Sequence, residues 1–266
     1  MVDSKVVLVT GASSGFGKST ATLLSQSGYA VFGTSRKPNA KGNGFQMLQL
    51  DIDSDKSVNA CISELIKKTG RIDVLVNNAG YIITGAIEET TIEDAKSQFE
   101  TNFFGVCRMV NAALPIMRKQ KSGQIINVGS LAGTFPVPFQ GMYAATKAAL
   151  LAYSEALLNE VKSLNINVSL IEPGYFNTGI MDDVMTSSKN ISEYNQAKKT
   201  VLSKLRKEIE NGGNPEMIAE TVLKLIKSKS PRFRNAVGKE KNFLIAKRLV
   251  PDSAFESLVR NHWKLD

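Results

Sequence analysis

The chain has 266 residues, 42% apolar and 22% charged, a balance ordinary for a globular protein long enough to bury a sizeable core. Two cysteines, Cys61 and Cys107, argue against a disulfide framework and read as reduced thiols, and no uncharged apolar run reaches the ~18 residues of a membrane span. The net charge of +8 lies wholly in the last quarter: residues 198–266 carry 16 Lys and Arg against 8 Asp and Glu, whereas the first 197 balance at 17 against 17.

The segments alternate between strand and helix. "KVVLVT" (5–10), a short β-branched run, predicts a buried strand, and residues 16–27 carry helical periodicity up to Gly28. "YAVFGTS" (29–35) and "FQMLQL" (45–50) predict strands two and three. "SDKSVNACISELIKKTG" (54–70) predicts a helix with a serine cap, an apolar face of Val58, Ile62, Leu65 and Ile66, and a terminal glycine. Strand four follows at "IDVLVNN" (72–78), a long helix at about 91–118 and strand five at "GQIINVGS" (123–130). A helix at 141–163 and strand six at "INVSLIEPG" (166–174) come next. "NPEMIAETVLKLIKS" (214–228) predicts a helix capped by Asn214 with Pro215 in its first turn, and a last short strand falls near 235–238. Such alternation predicts a doubly wound α/β fold: a central parallel sheet of about seven strands with helices on both faces. The polar, Ser-rich stretch at about 178–198 is the least regular and is read as a substrate loop.

The strand pattern begins at Val6 and leaves no room for a signal peptide, so a soluble, cytoplasmic protein is expected. The basic C-terminal quarter reads as a solvated face. "FLIAKRLV" (243–250) also admits a peripheral membrane contact, because it mixes apolar residues with Lys247 and Arg248. No nucleic-acid module accompanies the charge, and no nucleic-acid partner is expected.

"VTGASSGFGKST" (9–20) admits three chemistries. A P-loop needs G-x-x-x-x-G-K-[ST]; counting back from Gly17 puts Ala12 where the first glycine belongs, so the amide cradle is mis-spaced. A G-x-S-x-G elbow would make Ser13 the nucleophile of a serine hydrolase. That needs a histidine, and the only one, His262, lies in the basic tail and reads as a surface residue. A dinucleotide-binding turn fits: free N–H groups and the positive end of a helix dipole meet a pyrophosphate. Gly11 turns tightly, Gly15 lets the backbone approach, and Gly17 lets helix pack close on strand.

Four more motifs come in order: "NNAG" (77–80), "GS" (129–130), "YAATK" (143–147) and "PG" (173–174). Together with T-G-x-x-x-G-x-G they resemble, over essentially the whole chain, the short-chain dehydrogenase/reductase family. "VGSLAGTFPVPFQGMYAATKAAL" and "RFRNAVG…LVPDSAF" are similar to its 17β-hydroxysteroid and retinol dehydrogenase-like branch. The resemblance implies a single Rossmann-type domain over 1–266 and hydride transfer between a carbonyl and its alcohol. It implies Tyr143 as acid/base, Ser130 as donor to the substrate oxygen, Lys147 as modulator of Tyr143 and holder of the nicotinamide ribose, and Asn102 as a link from Lys147 to a water chain. For the cofactor it implies Gly11, Ser13, Ser14, Gly15, Phe16 and Gly17 in the turn, with Asp51 and Ile52 at the adenine. Asn77, Ala79 and Gly80, then Tyr143 and Lys147, and finally Pro173, Gly174, Phe176 and Thr178 complete the set. Asn77 can equally tie strands together.

The residues themselves refine this. Tyr143 and Lys147 are four apart and share a helical face, so the ammonium is expected to lower the phenol pKa. The second strand ends in "GTSRKPNAK" without the carboxylate that holds an NAD ribose. Ser35 and Arg36, helped by Lys37, suit a 2′-phosphate, so NADP is expected over NAD. Apolar residues at 135–139 and at Ile180, Met181, Val184 and Met185 point to a hydrophobic carbonyl or alcohol substrate. An NADP-holding redox sensor without turnover is the rival class, but it would not need Ser130, Tyr143 and Lys147 together. No metal is expected, and the family resemblance implies a homodimer or homotetramer paired through the two long helices at 91–118 and 141–163.

Overall fold

A computed structural model describes residues 4–38, 44–178 and 184–265. The chain runs through β1 (Val6–Val9), α1 (Gly15–Gln26), β2 (Ala30–Ser35), β3 (Gln46–Gln49), α2 (Asp55–Thr69), β4 (Val74–Asn77) and the two-residue β5 (Ile83–Thr84). Then come α3 (Ile92–Phe99), α4 (Gly105–Gln120), β6 (Gly123–Val128), α5 (Gly141–Val161), β7 (Ile166–Pro173) and β8 (Met185–Thr186). The last elements are α6 (Asn195–Glu210), α7 (Glu216–Lys227), β9 (Arg234–Val237), α8 (Phe243–Leu249) and α9 (Asp252–Trp263).

Seven strands form one parallel sheet in the order β3-β2-β1-β4-β6-β7-β9. The two-residue period of a strand explains why both faces are covered. Val6 and Leu8 of β1 enter a core with α2, α4 and α5, through residues such as Leu65, Met109 and Leu150. Val7 and Val9 point the other way, into a core with Leu24 of α1 and Val222 of α7. The chain winds outward from β1 in one direction and from β4 in the other, so a crevice opens beyond their carboxyl ends. The edge strand β9 is tied to β7 by a two-pronged Arg234–Glu172 pair at 2.6 and 2.8 Å.

Local signals account for many of the boundaries. The Ser54 hydroxyl accepts from the Ser57 amide at α2, Gly70 ends that helix at φ 72°, and Thr91 with Asp94 forms a capping box at α3. The helix expected at 91–118 runs unbroken from Ile92 to Gln120, with a π turn at Glu100–Phe104 between α3 and α4.

The irregular stretch at 178–198 is corrected in part. Positions 179–183, with Ile180 and Met181, lie outside the described residues, but the segment from 185 onward is ordered by specific contacts. Met185 and Thr186 pair with Ile83 and Thr84, and Ser188 donates to Asp94 from both its amide and its hydroxyl, at 2.9 and 2.6 Å. Buried Glu89 receives Lys198 at the start of α6. α6 sets Val201, Leu205 and Ile209 at four-residue intervals against Trp263 of α9, a third apolar cluster. No helix among the described residues is long and apolar enough to cross a membrane. Cys61 and Cys107 are both free thiols, and burial pushes Cys61 up to about 12.

Candidate active site

The glycine turn between β1 and α1 is bolted to the end of β4. The Thr10 hydroxyl accepts from the Asn78 and Ala79 amides at 2.9 and 3.0 Å, and the Asn78 carboxamide donates back to the Thr10 and Gly11 carbonyls at 2.9 and 3.2 Å. Gly11 has φ 66°, which L side chains rarely adopt. A Cβ on Gly17 would stand 2.2 Å from the Gly11 carbonyl oxygen and 2.5 Å from Asn78 Nδ2, so no larger residue fits without moving backbone.

Beside this turn lies a cleft of about 650 Å³. Of the sequence candidates it gathers Gly11, Ser13, Ser14, Gly15 and Phe16 from the turn, and Ser35, Arg36, Asp51 and Ile52 from the ends of β2 and β3. Ala79 and Gly80 line it beyond β4, and Thr178 beyond β7. The donor set fits a dinucleotide, with backbone amides at a helix N-terminus for the pyrophosphate. Ser35 Oγ is buried without a hydrogen-bond partner at the β2 end, and the neighbouring Arg36 is exposed at the same margin of the cleft.

Of the two readings of Asn77, the structure shows the tie between strands. Asn77 does not line the cleft; it is buried, and its Nδ2 donates to Asn127 Oδ1 at 2.8 Å, in a chain running on through Ser154 to the Leu150 carbonyl. The residue at the cleft is Asn78, the second asparagine of "NNAG". Gly17 is likewise buried outside the cleft and acts as the packing glycine.

A smaller cavity of about 90 Å³ adjoins the cleft, sharing Phe16 and Thr178 as walls. Ser130, Tyr143, Pro173, Gly174 and Phe176 line it. Tyr143 stands on the first turn of α5, with Ser130, which follows β6, hydrogen-bonded to its phenol. The Ser130 hydroxyl also accepts from the Ala132 amide at 3.1 Å, which fixes its rotamer. Lys147, one turn on, is buried; its Nζ donates to the Val128 carbonyl at 3.0 Å and lies 5.7 Å from the Tyr143 ring centre. Asn102 sits in the π turn with its carboxamide engaged by the Tyr81 backbone and by Thr146. Gly80 leaves the space where these groups converge: a Cβ there would stand 3.1 Å from Asn102 Oδ1 and 3.8 Å from Lys147 Nζ.

The electrostatics correct one expectation. Burial pushes the Tyr143 phenol above its ordinary value, with the Ser130 hydrogen bond opposing, and burial pushes Lys147 down to about 8. With burial raising the phenol and only the Ser130 hydrogen bond opposing it, Tyr143 holds its proton at neutral pH.

Sequence reasoning missed the far wall of the small cavity: Tyr175 after β7, Leu205 and Ile209 of α6, and Glu240 after β9. Only the four-residue period of α6 could have signalled any of them. His262 is also corrected. It is half-buried, with its ring on Trp263 and Phe243 at centre distances of 4.9 and 6.4 Å, and burial pushes its pKa down. Ser13 lines the dinucleotide cleft instead, and His262 lines neither cavity.

Comparison with known proteins agrees with this architecture. The family model described as short chain dehydrogenase matches residues 5–189. A 3-ketodihydrosphingosine reductase from Bacteroides thetaiotaomicron is 42% identical over 96% of this chain and 97% of its own. Retinol dehydrogenase 8 from Bos taurus is 31% identical over 94% of this chain and 86% of its own. The crystal structure of a short-chain dehydrogenase from Streptomyces avermitilis superposes with a TM-score of 0.82 at 31% identity, covering 98% of this chain and 96% of that one. With its seven-stranded parallel sheet, its glycine turn and this match over most of its length, the chain belongs to the short-chain dehydrogenase/reductase family of oxidoreductases.

Proposed function

We propose that the protein interconverts a hydrophobic ketone and its alcohol with NADP(H), acting as a reductase on a long-chain lipid ketone. The observation that carries this is the grouping of Ser130 and Tyr143 on the wall of the small cavity that adjoins the cleft, with buried Lys147 one turn behind Tyr143. When bound, the reduced nicotinamide supplies a hydride. The chain's own residues handle the oxygen. Ser130 and Tyr143 hold the carbonyl oxygen by hydrogen bonds and orient it. The Tyr143 phenol, kept protonated by burial, gives its proton to that oxygen, and Lys147 favours the phenolate left behind. Asn102 braces the Tyr81 backbone beside Gly80, and a water chain from Lys147 past Asn102 is the return path for the proton.

The substrate class is supported by the apolar lining of the small cavity (Phe135, Val137, Phe176, Leu205 and Ile209) and by the name of the 42% identical relative. Phe243, Leu249 and Leu258 are exposed on α8 and α9, a surface suited to peripheral contact with the membrane that would hold such a lipid. Following NADPH absorbance with aliphatic, aromatic and steroid ketones tests the reading. Turnover of a long-chain ketone is expected, whereas NADPH binding without turnover of any ketone would favour the redox sensor.

The preference for NADP rests on Ser35 and Arg36. Arg36→Asp removes a charge-assisted pair and adds repulsion, and should lower the NADP-to-NAD affinity ratio by roughly 100-fold. A wild-type protein that binds NAD more tightly than NADP would overturn the assignment.

A further inference from the structure

Ser130 stands at the start of a short turn, and the turn is gripped from the far end of the chain. It closes through Leu131–Gly133: the Gly133 amide donates to the Ser130 carbonyl at 3.1 Å, and the Thr134 amide to the Leu131 carbonyl at 2.9 Å. A three-residue 3₁₀ turn has too few bonds of its own to fix its position. Behind it runs α5: a Cβ on Gly133 would come 2.8 Å from the Lys147 carbonyl carbon. Thr134 ends the turn and does not line the small cavity, although Ser130, Leu131, Ala132 and Phe135 do. Its hydroxyl accepts from Arg234 Nη2 at 3.1 Å, and its carbonyl accepts from Lys247 Nζ. Arg234, on β9, is fixed in turn, because buried Glu172 takes both prongs of its guanidinium. Lys247 is carried on α8, whose Phe243 ring meets Phe135 at 5.8 Å. Two cations of the basic last quarter are thus turned inward, onto one residue four positions after Ser130.

We propose that Thr134 is a positioning residue for Ser130, held by Arg234 and Lys247 so that the Ser130 hydroxyl stays aimed at the Tyr143 phenol. The inference rests on the ketone-reductase reading above and extends it to three residues that line neither cavity. At its own end the turn is anchored by the Gly129 amide, which donates to the Ile171 carbonyl at 2.7 Å. With the Thr134 end released, the turn can pivot about that anchor, and the Ser130 hydroxyl moves with it. A shift of about 1 Å in a group that orients the reacting oxygen is enough to cost roughly 100-fold in rate. Loss of the Thr134 hydroxyl alone is a partial release, since Lys247 still bonds the backbone of the same residue, and a smaller cost follows.

The test compares the full-length protein with Thr134→Val, Thr134→Ser and Lys247→Met, using NADPH and a long-chain aliphatic ketone. Valine keeps the branched shape and leaves the Arg234–Glu172 pair intact while removing the hydroxyl; serine restores the hydroxyl. Thr134→Val is expected to lower kcat roughly 10-fold, with ketone KM, NADPH affinity and Tm near their wild-type values. Thr134→Ser should recover most of that rate. Lys247→Met frees the carbonyl of the same residue without altering the turn's own sequence, and should lower kcat as well. A wild-type kcat in Thr134→Val overturns the inference. So does a defect confined to Tm, which marks a purely structural hydroxyl, or one confined to ketone KM, which marks a support for the cavity wall at Phe135. A serine variant as slow as the valine variant also overturns it. If the wild type reduces no ketone, the reductase reading falls first and takes this inference with it.

Discussion

Tyr143→Phe is expected to lower kcat by roughly 10³-fold while NADPH affinity changes little. The substitution removes one oxygen and leaves the ring in place. The Lys147 amine keeps its bond to the Val128 carbonyl, and Ser130 keeps the Ala132 amide. The larger cleft does not count Tyr143 among its walls, so the adenine and pyrophosphate contacts have no reason to change. On the proposed mechanism, what disappears is the proton donor at the carbonyl oxygen. Its loss should appear in kcat at saturating ketone, with cofactor affinity read separately by fluorescence titration. A variant that retained a tenth of the wild-type rate would mean that water or Ser130 supplies the proton and would displace Tyr143 from its role.

Lys198→Met is expected to cost about 3 kcal/mol of stability, or a fall in Tm of roughly 6–12 °C. Glu89 is fully buried, and Lys198 Nζ meets both its oxygens at 2.6 and 2.8 Å; the amides of Ala86 and Ile191 donate to it as well. Burial alone would raise this carboxyl, but Lys198 and the two amides outweigh it and hold it below its ordinary 4.5. Removing the lysine strands a buried charge. Glu89→Gln in the Lys198→Met background removes the charge but keeps an acceptor, and should return most of the loss. Acid acts on the wild type in the same direction. A carboxyl held low in the fold stabilises fully above about pH 4.5, and that contribution is lost as pH falls through the lower folded value. A loss below 1 kcal/mol in the lysine variant would show that water reaches Glu89 freely.

The parts of this molecule that sequence reasoning reached are those governed by local rules. The unbroken apolar run of β1 announces two covered faces, and the spacing of Gly11, Gly15 and Gly17 announces a turn that admits a phosphate. Tyr143 and Lys147 share a helical face because of their spacing alone. The misses arise where distance in the chain or depth in the fold decides. Asn77 and Asn78 are chemically identical neighbours; which of them faces the cleft depends on where β4 ends. The direction of the Tyr143 shift depends on how thoroughly the phenol is desolvated, which no spacing reveals. The π turn at Asn102 hides inside an apolar helical pattern. Glu240, Leu205 and Ile209 reach the cavity only because α6 and the segment after β9 fold back over the carboxyl edge of the sheet, and nothing local marks them for that position.

Phe16 and Thr178 each face two compartments. Thr178 stands over Gly15, within 3.6 Å of where a side chain there would begin, and the Phe16 ring meets Phe176 edge-on at 5.3 Å. Whatever occupies the larger compartment therefore rests on the same two side chains that bound the smaller, so the two spaces cannot be filled independently of one another.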